Sequence, residues 1–262
     1  MDRGLSYSVL NTARSAISSI SYIQSNDANL TIGNHPLVKL FMRGVFNTKP
    51  QLPKTFSIWN PNYVLRLLKL WYPMNTLSLQ CLSMKVSMLM LLSSGQRGQT
   101  ILACSIKHMV ITNNSITFHL VELLKTSKPG SHMSTLTFKS FKEEPKLCPV
   151  IYIKEYIKRT KTIRKSDQLL IQTTKPHKAI ARATLRRWTK TTLTKAGVNM
   201  DTYKPHSTRA ASTSLASLRD VPLNTILKAA GWKSDNTFRR FYKRPIIEPT
   251  NTFSNSIHGD HN

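Results

Sequence analysis

The last quarter of the chain carries side chains that could together attack a phosphodiester. His206 and Arg209 are three residues apart, so a helix would present them on one face. Arg209 and the upstream Arg97 could hold one phosphate between two guanidinium groups, which would stabilise the extra negative charge of a pentacoordinate transition state. Tyr242 is our candidate nucleophile, and the indole N–H of Trp232 is a further donor. His206 could donate a hydrogen bond or move a proton.

This chemistry also needs an activated phenol and a proton donor for the leaving oxygen. A phenol has a pKa of about 10, so it needs cationic neighbours or a base to react at neutral pH. Arg239 and Arg240 lie just before Tyr242 in the chain. Lys125 or Lys128, on a predicted hairpin turn, could be the general acid that protonates a leaving 5′-oxygen. Each of these residues alone is more often structural or a solvated charge, and only their joint order and basic setting favour a site.

The charge of the chain predicts a polyanionic partner. Lys and Arg total 38 against 12 Asp and Glu, which gives a net charge of +26 that is spread along the chain. Because 40% of the residues are hydrophobic, the chain can build a core, and we interpret the charge as a folded surface that tracks nucleic acid. A structural RNA-binding protein would be equally basic, but no aromatic-rich RNA-binding sheet motif is visible in the sequence.

Cysteine and histidine usage argues against disulfides and against a metal site. The cysteines are odd in number and widely spaced, which indicates reduced thiols in an intracellular protein. The sequence has no Cys-x-x-Cys or His-x-x-x-His pair, so we predict no metal and no small-molecule cofactor. The N-terminus lacks the apolar stretch of a signal peptide, and the apolar run Met84–Leu92 is too short to span a bilayer, so we expect no membrane association.

Periodicity predicts a predominantly α fold of the α+β class in two domains. We predict a small helical domain over residues 1–74, a mainly helical domain with a small antiparallel β-sheet over 75–247, and a polar tail over 248–262. The predicted helices are Leu5–Ile23, Pro36–Phe46, Pro61–Trp71, Ser78–Ser93, Gln99–Ser105, Pro149–Lys161, Ala181–Ala196, Pro205–Leu218, Pro222–Ala230 and a last helix that is capped by Ser234 or Asp235 and runs through Lys243.

These elements have to position the candidate residues. A helix that ends at Gly95 places Arg97 just beyond its C-terminus. The helix predicted from Pro205 places its unpaired first-turn N–H groups, which attract phosphate, beside His206 and Arg209.

Alternating apolar residues predict β-structure, and one helix is strongly basic. A turn rich in Lys, Ser, Pro and Gly divides the alternating residues of segment 111–138, which predicts a β-hairpin, and Leu169–Gln172 is a predicted short strand. We predict DNA phosphate contacts from basic residues on the hairpin turn, the basic helix 181–196 and the last helix, namely Lys128, Arg182, Arg186, Arg187, Arg239 and Arg240.

The order Arg97, hairpin lysine, His206-x-x-Arg209, Trp232 and Tyr242 resembles the tyrosine recombinases, or phage-type integrases. It is similar above all to the recombinases of DIRS-like and Ngaro-like retrotransposons. His-x-x-Arg alone discriminates poorly, whereas the string Lys-Pro-His-Ser-Thr-Arg-Ala-Ala-Ser is specific. The resemblance spans nearly the whole chain, and its other segments are Gly4–Ser8, Asn11–Ala16, Ser94–Arg97, Leu124–Gly130 and Ala230–Trp232.

The resemblance implies a helical core-binding domain and a catalytic domain that together clamp double-stranded DNA. In this family the tyrosine attacks the scissile phosphate, forms a 3′-phosphotyrosyl link and releases a 5′-hydroxyl. Strand exchange then passes through a Holliday junction in a homotetramer. No metal or cofactor is needed, because the covalent link keeps the bond energy.

The resemblance also implies a role for each residue. By position, Arg97 and Arg209 would hold the phosphate, and Lys125 would be the general acid. His206 would move protons, and Trp232 stands where family members have His or Trp.

The chain departs from the family pattern at its tyrosine. Most members place the tyrosine nine residues after the His/Trp position, where this chain has Phe241, and Tyr242 comes one residue later. Phenylalanine cannot attack, so Tyr242 stays the candidate, and the helix before it must start or turn differently. Residues 98–100 lack the acidic residue common in bacterial relatives, and the first domain is short, as expected for a truncated copy.

We therefore expect a nuclear enzyme that recombines or integrates the DNA of a DIRS-like mobile element. The alternative is a catalytically inactive or domesticated DNA-binding protein derived from such an element. The presence of all the candidate catalytic residues favours the enzyme, whereas the short first domain favours the alternative. A type IB topoisomerase would use related chemistry but would not be expected to carry the specific string at residues 204–212.

Overall fold

The computed structural model describes residues 4–20, 31–50, 57–123, 127, 134–232 and 234–246. Most of the predicted hairpin turn, including Lys125 and Lys128, and the predicted tail lie outside the described residues. The chain divides into two compact units, Met1–Thr55 and Phe56–Asn262.

Two α-helices account for most of the described part of the first unit. They are α1 (Tyr7–Ile20) and α2 (Pro36–Thr48), and both were predicted. Proline suits the first turn of α2, where its missing N–H would have had no partner within the helix. The rings of Tyr7 and Phe46 meet edge to face with their centroids 5.7 Å apart, which joins the two helices.

The second unit begins before a helix that was predicted as part of the first domain. This helix, α3 (Pro61–Leu70), buries Val64 and Leu68 in the core of the second unit. The compact units therefore divide between Thr55 and Phe56, earlier than the predicted boundary at residue 74. The sequence showed that α3 has an apolar face, but it did not show that this face packs into the core of the second unit. The functions assigned to the two domains stay predictions.

The core of the second unit is built around α4 (Leu79–Ser94), which is buried on nearly all sides, as its continuous apolar sequence predicts. Three helices that come later in the chain pack directly against it: α6 (Pro149–Thr160), α7 (Arg182–Lys195) and α8 (Thr208–Leu218). The remaining described α-helices are α5 (Gly98–Leu102), α9 (Leu223–Ala230) and α10 (Asp235–Phe241). None of the described helices has the length and apolar character that a bilayer span requires.

A small antiparallel sheet confirms the predicted fold class. Its strands, in spatial order, are β1 (Met109–Ile111), β2 (Ser115–His119) and β3 (Thr135–Lys139). β2 and β3 form the predicted hairpin, in which Ile116 lies opposite Phe138 and both side chains are buried. The prediction of a short strand at Leu169–Gln172 is wrong, because Ile171 pairs with Ala179 only in an isolated antiparallel bridge. Burial of a short loop gives the same apolar pattern as a strand.

Candidate active site

A pocket of about 550 Å³ in the second unit collects most of the predicted chemistry. Arg97, His206, Arg209 and Tyr242 all line it. They come from separate segments, which are the loop after α4, the turn before α8, α8 itself and the chain just after α10. Tertiary packing therefore brings together side chains that are up to 145 residues apart in the sequence (242 − 97).

Arg209 is deeply placed in this pocket, with 5% of its surface exposed. Its Nη2 donates to the carbonyl oxygen of Ala230 at 2.8 Å, while Nε and Nη1 are buried and have no hydrogen-bond partner among the described residues. Burial, and then the nearby charge of Arg97, lowers the pKa of Arg209 to about 10, so the side chain stays cationic at neutral pH. Buried donors without partners are costly, and guanidinium donors of this kind match the charged oxygens of a phosphate.

Two aromatic rings pack on the guanidinium of Arg209. Its Cζ lies 4.2 Å from the ring centroid of Trp232 and 5.2 Å from that of Tyr242. The Trp232 and Tyr242 centroids are 4.6 Å apart, so the cation and the two rings form one cluster. Contacts of this kind strengthen when water is excluded. The indole Nε1 of Trp232 is also buried without a partner in the described part of the chain, so it is a further donor beside the pocket.

Tyr242 reaches the pocket because α10 ends one residue before it. The helix was predicted to run through Lys243, but it ends at Phe241 and Tyr242 is its C-cap. The N–H groups of Tyr242 and Lys243 both donate to the carbonyl oxygen of Phe238 at 2.8 Å, which closes the helix end. Phe241 is 52% exposed. The helix therefore ends before Tyr242, which stands one residue later than the tyrosine of most family members. Tyr242 lines the pocket, and Phe241 does not.

Two glycines in the left-handed conformation let the loops that carry Arg97 and Trp232 approach each other. Gly95 ends α4 with φ at 60°, and a Cβ there would lie 2.9 Å from a side-chain carbon of α8. Gly231 ends α9 with φ at 69°, and a Cβ there would lie 3.1 Å from Nε2 of Gln96. The same Nε2 donates to a carbonyl oxygen in the last turn of α9 at 2.7 Å. The loop after α4 therefore packs closely against the end of α9 beside the pocket.

His206 lies in a short 3-10 turn, Pro205–Ser207, and not in the first turn of an α-helix as predicted, because α8 starts at Thr208. The His206 side chain is exposed and lines the pocket. The turn is held from a distance, since Trp59 Nε1 donates to the Oγ of Ser207 at 2.8 Å. Nothing in the local sequence indicates this contact, which joins residues 148 positions apart.

The basic helix α7 contributes directly to the pocket. Arg182 and Arg186 line it, as does Thr189, and Arg187 is exposed on the same helix. Gln99 also lines the pocket and was not among the predicted site residues. Arg182 and Arg186 therefore add positive charge to the same cavity as Arg97 and Arg209, which favours an anionic ligand there.

The other predicted DNA contacts lie on α10 or outside the described residues. Arg239 is exposed and pairs with Asp235, with 2.8 Å between Nε and Oδ2. Arg240 is exposed, and its Cζ lies 5.2 Å from the ring centroid of Phe241. No group of three or more potential metal-binding side chains occurs in the part of the chain that the structure describes.

The fold and the pocket together define a class of protein. The fold is mainly helical, and the pocket sets a tyrosine beside two arginines and a histidine, side chains whose chemistry suits binding and attack of a phosphate without a metal. The sequence agrees, because residues 63–245 match the Phage integrase family. The chain belongs to this family, that of the tyrosine recombinases. No curated protein sequence matches the chain.

Solved structures of tyrosine recombinases share the fold. The XerH site-specific recombinase bound to difH substrate is 15% identical with a TM-score of 0.53, and the match covers 90% of this chain and 66% of XerH. The Tn1549 transposon integrase in complex with circular intermediate DNA is 13% identical with a TM-score of 0.59, over 98% of this chain and 80% of that one. A lambda integrase dimer bound to a core site is 15% identical with a TM-score of 0.50, and the match covers 93% of this chain and 75% of the lambda integrase chain. The chain thus spans about two thirds of XerH, and at these identities the likeness shows the fold alone.

Proposed function

We propose that this chain cleaves and rejoins double-stranded DNA through a 3′-phosphotyrosyl intermediate. The observation that carries the proposal is the convergence of Tyr242 with Arg97, His206 and Arg209 in one pocket. Family membership supports it, as do the DNA complexes in which the XerH, Tn1549 and lambda proteins were solved. The net charge of +26 supplies the attraction to a DNA backbone.

In the first step the phenol oxygen of Tyr242 bonds to the scissile phosphorus, and the bond from phosphorus to the 5′-oxygen breaks. The phenol proton passes to His206, and the 5′-oxygen takes a proton from a general acid, the role that the resemblance assigns to Lys125. Arg209 and Arg97 hold the non-bridging oxygens, whose negative charge grows in the transition state. Attack by a 5′-hydroxyl on the phosphotyrosine reverses the step and restores the phenol.

We further propose that the substrate is the DNA of a DIRS-like mobile element and that a homotetramer acts on it in the nucleus. The support for such an element is the resemblance of the string at 204–212 to those recombinases. Cys81, Cys104 and Cys148 are free thiols, which suits a reducing compartment.

Trapping on a suicide substrate tests the proposed function. A nicked duplex from the ends of the element is incubated with the protein, denatured, and examined for a covalent protein–DNA adduct. We expect an adduct with the wild type and with the control Tyr63→Phe, which removes a hydroxyl from α3, and no adduct with Tyr242→Phe.

Duplex binding is measured in parallel and is expected to be nearly unchanged in Tyr242→Phe. If the wild type binds the duplex but forms no adduct, the inactive DNA-binding alternative replaces the proposal. An adduct that persists in Tyr242→Phe would assign the nucleophile to another residue.

A further inference from the structure

The chain that follows the nucleophile is bonded to a serine on the helix that carries Arg209. Ser214, on α8, donates from Oγ to the carbonyl oxygen of Tyr242 at 2.7 Å and accepts from the N–H of Arg244 at 3.1 Å. The Ser214 residue is 4% exposed, so both bonds are shielded from water. A buried hydroxyl thus bridges the backbone on the C-terminal side of the tyrosine.

This use of a helical hydroxyl differs from that of other buried hydroxyls in the second unit. Thr213 donates to the carbonyl oxygen of Arg209 at 2.8 Å, and Ser87 on α4 donates to that of Met84 at 3.0 Å. Such bonds to the preceding turn are the usual choice of a buried hydroxyl within a helix. Ser214 instead bonds to a segment that lies 28 residues further along the chain. Because Arg209 and Ser214 share one helix, the distance between the phosphate-binding group and the tyrosine backbone is set by a rigid element.

A second contact holds the same segment from the N-terminal side of the unit. The N–H of Ile58 donates to the carbonyl oxygen of Pro245 at 2.8 Å, and Ile58 and Ile246 form a parallel bridge. The next residue, Trp59, bonds to Ser207 beside His206. The segment before α3 therefore braces both the chain after the nucleophile and the turn that carries the histidine.

Resting on the proposed function, we propose that Ser214 is a positioning residue that holds Tyr242 in the phosphate site of its own chain. The bond to Phe238 fixes the backbone on one side of Tyr242, and the bonds to Ser214 and Ile58 fix it on the other. Only the side-chain torsions remain to bring the phenol onto phosphorus. Delivery of the tyrosine to another chain's site would require these bonds to break, so the geometry assigns the attack to the same chain.

The first experiment measures the single-turnover rate of adduct formation at saturating protein, together with the DNA Kd and the Tm. Ser214→Ala is expected to slow adduct formation by about 10–100-fold, because displacement of a reacting group by about 1 Å costs this order of rate. Its Kd should stay close to that of the wild type, whereas its Tm should fall, because the carbonyl oxygen of Tyr242 loses its donor. Ser214→Thr, which keeps the hydroxyl, should restore both the rate and the Tm. Ser87→Ala removes a buried hydroxyl that bonds only within its helix, and should react like the wild type.

A wild-type rate in Ser214→Ala would overturn the proposal. An equal loss of rate in Ser214→Ala and Ser214→Thr would also overturn it, because the hydroxyl would then not be the group that matters. So would a loss that is explained by weaker DNA binding or that disappears when the rate is expressed per folded molecule. Absence of an adduct with the wild type would instead reject the proposed function.

The second experiment mixes two inactive variants on one duplex. Tyr242→Phe keeps the phosphate site, and Arg209→Ala keeps the nucleophile. If the tyrosine acts in its own chain, the mixture forms no more adduct than Arg209→Ala alone. Adduct formation above that level, with the DNA linked to the Arg209→Ala chain, would show attack on a neighbour's site and overturn the assignment.

Discussion

Lys85 and Arg209 are both buried cations of the second unit, but their surroundings are opposite. Lys85 is 0% exposed, and its Nζ donates to the carbonyl oxygens of Leu68 at 2.6 Å and Trp71 at 2.8 Å and lies 3.9 Å from the ring centroid of Tyr152. Arg209 makes one hydrogen bond, and two of its guanidinium nitrogens are buried without a partner among the described residues.

The difference separates a cation that holds the fold from one that is arranged for a ligand. Lys85 is on α4, and its Nζ reaches the C-terminal end of α3, where the last carbonyl groups have no partner within the helix. It ties α3 and α6 to α4. Arg209 leaves donors unpaired inside the protein, which costs stability and is expected where an anion has to bind. Burial alone therefore does not distinguish the two cations, whereas the pairing of their donors does.

Arg209→Met should give the largest effect and sharpen this comparison most directly. Loss of a preorganised donor to the transition state typically costs about 10²–10³-fold in rate. We expect a loss of at least this order in adduct formation, measured by single-turnover trapping. The Tm should change little, because the removal of two unpaired buried donors offsets the loss of the bond to the carbonyl oxygen of Ala230. A variant that unfolds would place Arg209 with Lys85 as a structural cation.

Lys85→Met should give the opposite pattern. The carbonyl groups of Leu68 and Trp71 would lose their donor, at a cost of about 1–3 kcal/mol in the free energy of unfolding. Urea denaturation measures this loss. Adduct formation per folded molecule should match the wild type, because Lys85 does not line the pocket. A rate loss in fully folded Lys85→Met would break the comparison.

The pH dependence of stability should also distinguish the lysine. Burial lowers the pKa of Lys85 from 10.5 to about 8, with smaller influences from Cys81, Lys146 and Glu144. Between these values the unfolded chain binds a proton that the folded chain has lost, so unfolding takes up a proton and stability rises with pH. We expect the wild type to gain stability relative to Lys85→Met between about pH 8 and 10.5. Parallel curves for the two proteins in urea titrations would contradict the lowered pKa.

Arg239→Ala should give the smallest effect and serves as an exposed reference. Its pair with Asp235 is solvent-exposed and spaced four residues apart on α10, and such pairs contribute about 0.3–0.5 kcal/mol. We expect a change in the free energy of unfolding within about 0.5 kcal/mol. DNA affinity should fall modestly and more at low salt than at high salt if Arg239 contacts phosphate. A large loss of stability would show that an exposed cation can contribute as much to the free energy of unfolding as the buried Lys85.

The local signals in the sequence were sufficient for most of the helices and the hairpin. Asn60 caps α3 through Oδ1, which accepts from the N–H of Asn62 at 2.9 Å, and Ser78 caps α4. Gly95 ends α4 in the left-handed conformation. These features depend on a few neighbouring residues, so the sequence shows them directly. The helix end at Phe241 was missed by two residues, because the chain after it is held by a bond from Ser214, which lies 28 residues away in the sequence.

By itself, then, the sequence determined the residue types of the site, their order along the chain and the basic surface that suits DNA. Only the tertiary structure decided that Tyr242 lines the pocket where Phe241 does not, that α3 belongs with the second unit, and that Ser214 and Trp59 brace the site. The physical reason is range. Caps, turns and amphipathic faces act over a few residues, whereas burial, the pKa of a buried cation and long-range hydrogen bonds depend on neighbours that folding alone brings together.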